Sequence, residues 1–289
     1  MNILDDLKLE YKTGGIAVKL IIWNVVCFLI SIPLFYQFKI TEFDFPNWLC
    51  LVSSPSDLLL RPWTLVTYAF LHNSFWHLLF NMMVLNFSSR LFLTYFTQKQ
   101  LLSVYILGGI FAGLIFVFTL YFLNVTAPIV GASAAIMAVL VGVTTYQPLM
   151  SIRLLLIGYV KLWHLTGVIL LLDLLQIGLS NEGGHISHLA GALFGFVYIK
   201  TLQNGTDLGS GLNTVLDWFA NIFSPQKSTP FKKVHRNPRP ANIGKSTSKI
   251  VTKDKTQQQI DEILDKISKS GYDSLTADEK EFLFKAGKQ

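Results

Sequence analysis

The sequence predicts an all-α, polytopic membrane protein with six transmembrane helices and a small cytoplasmic helical tail. Composition, the length of the apolar runs and the placement of charge carry this prediction. Of 289 residues, 51% are hydrophobic and only 15% are charged, whereas an average soluble domain carries about 25% charge. Twenty-two Phe and six Trp would leave large apolar patches on a water-soluble globule. A soluble enzyme and a disordered protein are therefore both disfavoured.

Six apolar runs are long enough to be membrane spans, since roughly 20 apolar residues cross about 30 Å of hydrocarbon. The candidate spans are residues 16–36, 74–95, 101–123, 130–147, 161–179 and 185–202. The first run could be a signal peptide, but it lacks a small-residue cleavage site and further spans follow it. We therefore expect it to be a helix of the mature protein, within a membrane domain of residues 1–203.

The basic residues predict the orientation of these spans. If the N-terminus lies inside, the outer loops contain only Lys39 and Arg61. The short inner segments then contain Lys8, Lys12, Lys19, Arg90, Lys99, Arg153 and Lys161. This bias follows the positive-inside rule. It predicts a multi-pass protein of the cell (inner) membrane with both termini in the cytoplasm.

Residues 204–255 are predicted to be a basic flexible linker. The segment from Ser224 to Lys255 contains nine Lys or Arg residues and one acidic residue, Asp254, together with four prolines. Such a composition buries too little apolar surface to offset the entropy of ordering. We expect the linker to lie on anionic lipid headgroups, at about 1 kcal/mol per nearby basic residue. Nucleic-acid binding is disfavoured because no recognition motif accompanies the charge.

Residues 256–289 are predicted to form a small cytoplasmic helical hairpin. Apolar residues at helical spacing mark its first helix: Ile260, Ile263, Leu264 and Ile267. Gly271 would end this helix, and Thr276 with Glu279 would form the capping box of a second. The hairpin is too short for an independent core. It would dock on the membrane domain, on a second copy or on an unknown cytoplasmic partner.

A first cluster of polar residues lies in the second span. His77 and Asn81 are four residues apart and share one helical face, and His72 lies just over a turn earlier. Polar groups at membrane depth are costly unless they are paired or hydrated, so they indicate a functional site. Interfacial histidines and an asparagine that joins two helices would explain the same residues.

A second cluster opens the fourth span, where Gly131 and Ser133 precede small residues at helical spacing. It could be a packing seam in which Ser133 bonds back to its own helix. A third cluster opens the sixth span, where His185 and His188 precede a GxxxG face that favours close helix approach. Since no Asp or Glu occurs between Asp57 and Asp173, we expect no buried salt bridge for His188, and Ser133 is its candidate partner.

Together the clusters form one ordered set of motifs across residues 16–202. In chain order these are His72-x4-His77-x3-Asn81, Gly131-x-Ser133 and His188-x2-Gly191-x3-Gly195. The set resembles the rhomboid family of intramembrane serine proteases, and the spacing to the glycines makes His188 the counterpart of the catalytic histidine. In this sequence Ala134 follows the serine, where the family usually has glycine. Met137 stands where an aromatic residue often stacks on the histidine.

The resemblance implies that His188 acts as the base for the nucleophile Ser133, a role that suits a histidine of near-neutral pKa. The scarcity of carboxylates then predicts a serine–histidine dyad rather than a triad. Asn81 and His77 would donate to the oxyanion together with the backbone N–H of Ser133. Supporting roles are implied for His72, Gly131, His185, Gly191 and Gly195.

The resemblance also implies membrane-protein substrates whose transmembrane helix unwinds easily near the outer face, because a closed helix does not present an extended peptide bond. No cofactor or metal site is expected, since Cys27 and Cys50 are too few for a cysteine-rich site. Two alternatives remain open. An inactive family member could bind membrane-protein clients, and a small transporter would have paired charges at mid-membrane and internal repeats.

Overall fold

The computed structural model describes residues 2–38, 41–154, 158–179, 181–223 and 255–286, and most of them are helical. The chain divides into two compact units, residues 1–227 and 228–289. The helices of the first unit are α1 (Ile3–Thr13), α2 (Ile16–Phe35), α3 (Pro55–Leu60), α4 (Thr64–Thr67), α5 (Phe75–Phe92), α6 (Gln98–Phe122), α7 (Ser133–Tyr146), α8 (Leu162–Gln176), α9 (Glu182–Gln203) and α10 (Ser210–Phe223). A 3-10 helix over Tyr68–Phe70 follows α4.

Six short strands in the loops form three two-stranded antiparallel sheets. The pairs are β1 (Tyr36–Gln37) with β2 (Glu42–Phe43), β3 (Leu51–Val52) with β4 (Pro128–Ile129), and β5 (Ser151–Leu154) with β6 (Gly158–Lys161). The all-α prediction contained none of them, because strands of two to four residues show too little alternation to be recognised. The β3–β4 pair joins the long first loop to the segment that leads into α7.

A helix occupies each of the six apolar runs that the sequence marks as spans: α2, α5, α6, α7, α8 and α9. Among the described residues, α2 and α6 are long and apolar enough to cross a membrane, while α7 and α8 are shorter apolar helices. With 14 residues and a rise of about 1.5 Å per residue, α7 is shorter than the full hydrocarbon thickness.

Helix α7 is the centre of the first unit. All of its residues from Ala134 to Thr144 are buried, and it packs between α5, α6 and α9. Small side chains dominate its first half, which lets neighbouring backbones approach closely. Helix α8 is different, since only Leu162, Thr166 and Asp173 are buried on it. Most of its apolar side chains face outward, as on a helix that borders lipid.

The segment that enters α7 is held by Tyr68. This side chain is buried, and its hydroxyl donates a 2.7 Å hydrogen bond to the carbonyl oxygen of Gly109 in α6. Its own carbonyl oxygen accepts a 2.9 Å hydrogen bond from the backbone N–H of Gly131. Because both bonds are buried, they fix where α7 begins relative to α6.

The stretch predicted as a linker contains α10. Leu212, Val215, Leu216 and Phe219 recur there at helical spacing, a pattern that the charge count of residues 204–255 conceals. Asp217 of α10 forms a 2.7 Å ion pair with Lys99 at the start of α6. This pair lies at the end of the unit opposite the beginning of α7. The remaining residues 224–254 lie outside the described residues.

The second unit contains α11 (Lys255–Ser270), a 3-10 helix over Tyr272–Ser274 and α12 (Ala277–Ala286). Between the two α-helices Gly271 has a φ of 79°, which glycine adopts without strain. Thr276 and Glu279 exchange hydrogen bonds at the start of α12, as in a capping box. The hydrogen bond from Lys266 holds the pKa of Glu279 below its usual value.

The Thr97→Ala variant should lower the stability of the first unit by about 1 kcal/mol, the usual worth of an N-cap side chain. Thr97 forms a capping box with Gln100 at the start of α6, so the substitution leaves the Gln100 N–H without its acceptor. Thermal unfolding in detergent measures the change. Thr214→Ala is the matched control, because this exposed threonine lies inside α10 and its hydroxyl donates to the carbonyl oxygen of Ser210 in the preceding turn. An equal loss in both variants would contradict the capping role.

Candidate active site

The predicted site residues meet at the N-terminal ends of α5, α7 and α9. A cavity of about 560 Å³ is lined there by His77 and Asn81 of α5, Ser133 of α7 and His188 of α9. Helix N-termini carry a partial positive charge of about +0.5 each. The three helix ends therefore favour a negative charge that develops in this cavity.

Ser133 and His188 are directly hydrogen-bonded, with 2.6 Å between Oγ and Nε2. Ser133 is the first residue of α7, so its backbone N–H is one of the donors that a helix leaves without an intrahelical acceptor. His188 lies in the second turn of α9, whereas His185 makes no contact of this kind with Ser133. The pair has the geometry in which a histidine takes the proton of a serine hydroxyl.

Close contact between α7 and α9 sets this pairing. A Cβ placed on Gly191 would overlap the carbonyl oxygen of Ala134, and it would lie 2.9 Å from the carbonyl carbon of that residue. One turn further, a Cβ on Gly195 would overlap the carbonyl oxygen of Ala138. Only glycine fits at both positions. The GxxxG face thus holds His188 against the start of α7.

The structure corrects the expectation that His188 has no carboxylate partner. Oδ1 of Asp173 lies 2.8 Å from Nδ1 of His188 and also 2.8 Å from Nδ1 of His185. Asp173 is only 6% exposed. The carboxylate, His188 and Ser133 therefore form a continuous hydrogen-bonded chain, where the sequence predicted a dyad.

The sequence does contain a signal for Asp173 that the motifs did not use. Asp173 and His185 each lie six residues from residue 179, which belongs to the short connection between α8 and α9. Two helices joined by such a connection are antiparallel neighbours, so both side chains reach the same depth. A carboxylate within an apolar span also requires a partner nearby. Their equal distance from the α8–α9 connection therefore predicts that Asp173 and His185 are neighbours.

Asp173, His185 and His188 also place three possible metal-ligand atoms within 4.8 Å of one another. The sequence predicted no metal site. In this structure Asp173 accepts hydrogen bonds from Nδ1 of both histidines.

Asn81 and His77 add two further side chains with nitrogen atoms to the lining of the cavity that holds Ser133. Nδ2 of Asn81 is buried and has no hydrogen-bond partner within the described part of the chain. Nδ1 of His77 lies 2.8 Å from Oδ1 of Asn73, so Nδ1 carries the proton that this bond requires. A neutral His77 then has no proton on Nε2, so of these two side chains Asn81 is the one that offers an unpaired N–H to the cavity.

Gly131 and His72 shape the surroundings of His77. Gly131 has a φ of 134°, and a Cβ there would lie 2.8 Å from Cε1 of His77. Glycine is therefore required at this position because of the positive φ, and also because a larger residue would collide with the His77 ring. His72, in the loop before α5, is completely buried, with its ring centroid 5.0 Å from that of His77. Burial, reinforced by His77, lowers the pKa of His72 to about 3.

A second opening reaches the serine from the side. This cleft of about 300 Å³ lies between α5 and α8, and its walls are mainly apolar, with Phe80, Val84 and Leu172 among them. Ser133 and His188 line it too. The site is thus open both at the helix N-termini and along the faces of two helices.

Ala134 and Met137 are compatible with this geometry. Both are buried, and the 2.6 Å bond between Ser133 and His188 forms with them in place. The methyl group of Ala134 therefore does not separate the two residues, although the sequence usually found in the family has glycine there.

These features describe a helical protein with apolar helices and a cavity in which a serine, a histidine and a carboxylate are joined by hydrogen bonds. The model of the Rhomboid domain matches residues 60–204, half of the chain. The chain belongs to the rhomboid family, whose members are generally intramembrane serine proteases. Residues 251–287 match a family of unknown function (DUF6576). A search of curated proteins finds no match.

Proposed function

We propose that this protein is an intramembrane serine endopeptidase in which Ser133 is the nucleophile and His188 the general base. The 2.6 Å bond between Ser133 Oγ and His188 Nε2 carries the proposal. In the reaction, Oγ attacks the peptide carbonyl carbon while Nε2 takes its proton. The amide of Asn81 and the backbone N–H of Ser133 stabilise the oxyanion.

The two openings of the site suit the two reactants, water and a transmembrane segment of the substrate. Water reaches Ser133 through the cavity at the helix N-termini, which is lined by polar groups from three helices. The apolar cleft between α5 and α8 matches the side chains of a transmembrane segment. Such a segment must unwind before its backbone fits an active site. The substrates are therefore membrane proteins with an unstable transmembrane helix, cleaved near the outer face.

The proposal includes six spans formed by α2, α5, α6, α7, α8 and α9, in the cell (inner) membrane with both termini in the cytoplasm. The distribution of basic residues supports this orientation. It puts the beginnings of α5, α7 and α9 on the outer side, where water is available. The basic segment after α10 would lie on anionic headgroups, and the C-terminal unit would be free to bind a cytoplasmic partner.

A serine-directed fluorophosphonate probe tests the function. The protein in detergent or liposomes should be labelled at Ser133 and should cleave a reporter with a helix-destabilised transmembrane segment. Ser133→Ala should abolish both activities, because no other group replaces the nucleophile.

Ser89→Ala is the matched control, since Ser89 is a buried serine of α5 outside the cavity lining. It should leave labelling and cleavage unchanged. A parent protein that neither reacts with the probe nor cleaves the reporter would contradict the protease proposal. Retained binding of membrane-protein clients would then favour an inactive family member.

A further inference from the structure

We propose that Asp173 is a positioning residue for His188, so that this protein uses a serine–histidine–carboxylate chain instead of a dyad. The inference rests on the proposed protease function and adds a residue to it. Asp173 would orient the imidazole through Nδ1 and stabilise the imidazolium that forms when Nε2 takes the serine proton. Its carboxylate would not itself take a proton.

The hydrogen-bond pattern selects the reactive tautomer of His188. An ionised carboxylate only accepts hydrogen bonds, and a neutral imidazole has one N–H. The 2.8 Å contact between Asp173 Oδ1 and His188 Nδ1 therefore places the proton on Nδ1. Nε2 is left with its lone pair toward Ser133 Oγ, 2.6 Å away. This is the form in which a histidine is a base for a hydroxyl group.

His185 keeps the carboxylate in place. Its Nδ1 donates to the same oxygen at 2.8 Å, and the residue is only 9% exposed. A buried carboxylate needs compensating donors. The N–H of His185 is such a donor to Asp173, and it takes no part in the proton transfer. When the His188 ring turns between nucleophile and leaving group, the bond from His185 still fixes the rotamer of Asp173.

The reaction needs no proton donor or acceptor besides Ser133, His188, the substrate and water. Ser133 Oγ bonds to the carbonyl carbon and its proton moves to His188 Nε2. That proton then passes to the leaving amine nitrogen as the C–N bond breaks. In the second half, a water oxygen bonds to the acyl carbon and gives a proton to Nε2. The proton returns to Ser133 as the acyl–oxygen bond breaks. Throughout, Nδ1–H remains on His188 and donates to Asp173.

A purely structural role for Asp173 is the competing explanation, since its two hydrogen bonds also join α8 to α9. Asp173→Asn distinguishes the roles, because the amide has the same size but can donate to Nδ1 and so favour the unreactive tautomer. We expect the probe-labelling rate and kcat to fall strongly, toward the roughly 10⁴-fold loss of kcat that follows when a triad aspartate becomes asparagine. KM and the melting temperature should change little.

The pair Asp173→Glu and Asp173→Gln repeats the comparison at equal side-chain length. Asp173→Glu should recover most of the rate and Asp173→Gln should not, which keeps the test valid if Asp173→Asn folds poorly. His185→Leu removes the other hydrogen bond that Asp173 accepts and should slow labelling less than Asp173→Asn does. Leu175→Ala, an exposed neighbour on α8, should label at the parental rate.

Labelling of Asp173→Asn at the parental rate would overturn the inference, as would equal slowing in Asp173→Asn and His185→Leu with an equal fall in melting temperature. Failure of the parent protein to label at Ser133 is a different result, because it would overturn the protease function itself.

Discussion

The Asn81→Ala variant is expected to lose about 100- to 1000-fold in turnover, the effect of removing one oxyanion donor. Asn81 is 8% exposed, and its Nδ2 is a buried donor without a partner among the described residues. Leaving a buried donor unpaired normally costs about 1–3 kcal/mol. Such a group in the cavity of Ser133 is ready to bind a charge that exists only during the reaction.

The loss should fall on kcat, because the ground-state carbonyl makes a weaker bond to this donor than the oxyanion does. KM and the melting temperature should stay close to those of the parent. Removing the unpaired amide could even stabilise the fold slightly. Steady-state cleavage of the reporter together with thermal unfolding in detergent separates these quantities.

Asn86→Ala is the matched control, since Asn86 is an exposed asparagine of the same helix whose Oδ1 accepts a hydrogen bond from Arg90. It should cleave at the parental rate. Parental turnover in Asn81→Ala would contradict the oxyanion role. His77 would then have to supply the donor, which requires a proton on Nε2 in addition to the one bonded to Asn73.

The order of the polar motifs in the sequence was enough to identify the family, and the match of the Rhomboid domain confirms that resemblance. Motifs within one helix, such as His77 with Asn81, depend on a fixed spacing of four residues, so the sequence alone shows that they share a face. The two glycines of α9 are informative for the same reason. They predicted a close helix approach before the partner helix was known.

Asp173 was missed because its partners lie on another helix. Its relation to His185 and His188 depends on how α8 and α9 meet, which is visible in the distances of the residues from the α8–α9 connection and not in a spacing within one helix. The β3–β4 pairing was missed for a similar reason, since it joins Leu51 and Ile129 from two distant loops. Which two elements contact each other is decided by packing, and the sequence indicates it only where a short connection makes the elements neighbours, as it does for α8 and α9.

Helix α10 was missed for a different reason. Its apolar spacing was visible at Leu212, Val215 and Leu216, but the strong basic charge that begins after Ser224 decided the interpretation of the whole stretch. A composition averaged over 50 residues conceals a 14-residue helix. The helical spacing of the apolar residues in α10 therefore predicts a helix even beside a segment whose charge is typical of a linker.

The Gly191→Ala variant should lose probe labelling by about 100-fold or more, the effect of misplacing a reacting group by about 1 Å. The added methyl group would overlap the carbonyl oxygen of Ala134, so α9 must move away from α7. His188 lies one turn earlier on α9, and the movement separates its Nε2 from Ser133. Overpacking of this kind also lowers stability by about 1–3 kcal/mol.

Two further glycine variants separate local displacement from loss of the fold. Gly195→Ala causes the same overlap against Ala138, further from the serine, so it should lower the melting temperature as much while slowing labelling less. In α8, a Cβ on Gly167 meets no atom within 4 Å. Gly167→Ala should therefore keep the parental labelling rate and gain up to about 1 kcal/mol in helix propensity. Parental labelling and stability in Gly191→Ala would show that α7 and α9 can separate without disturbing the Ser133–His188 pair.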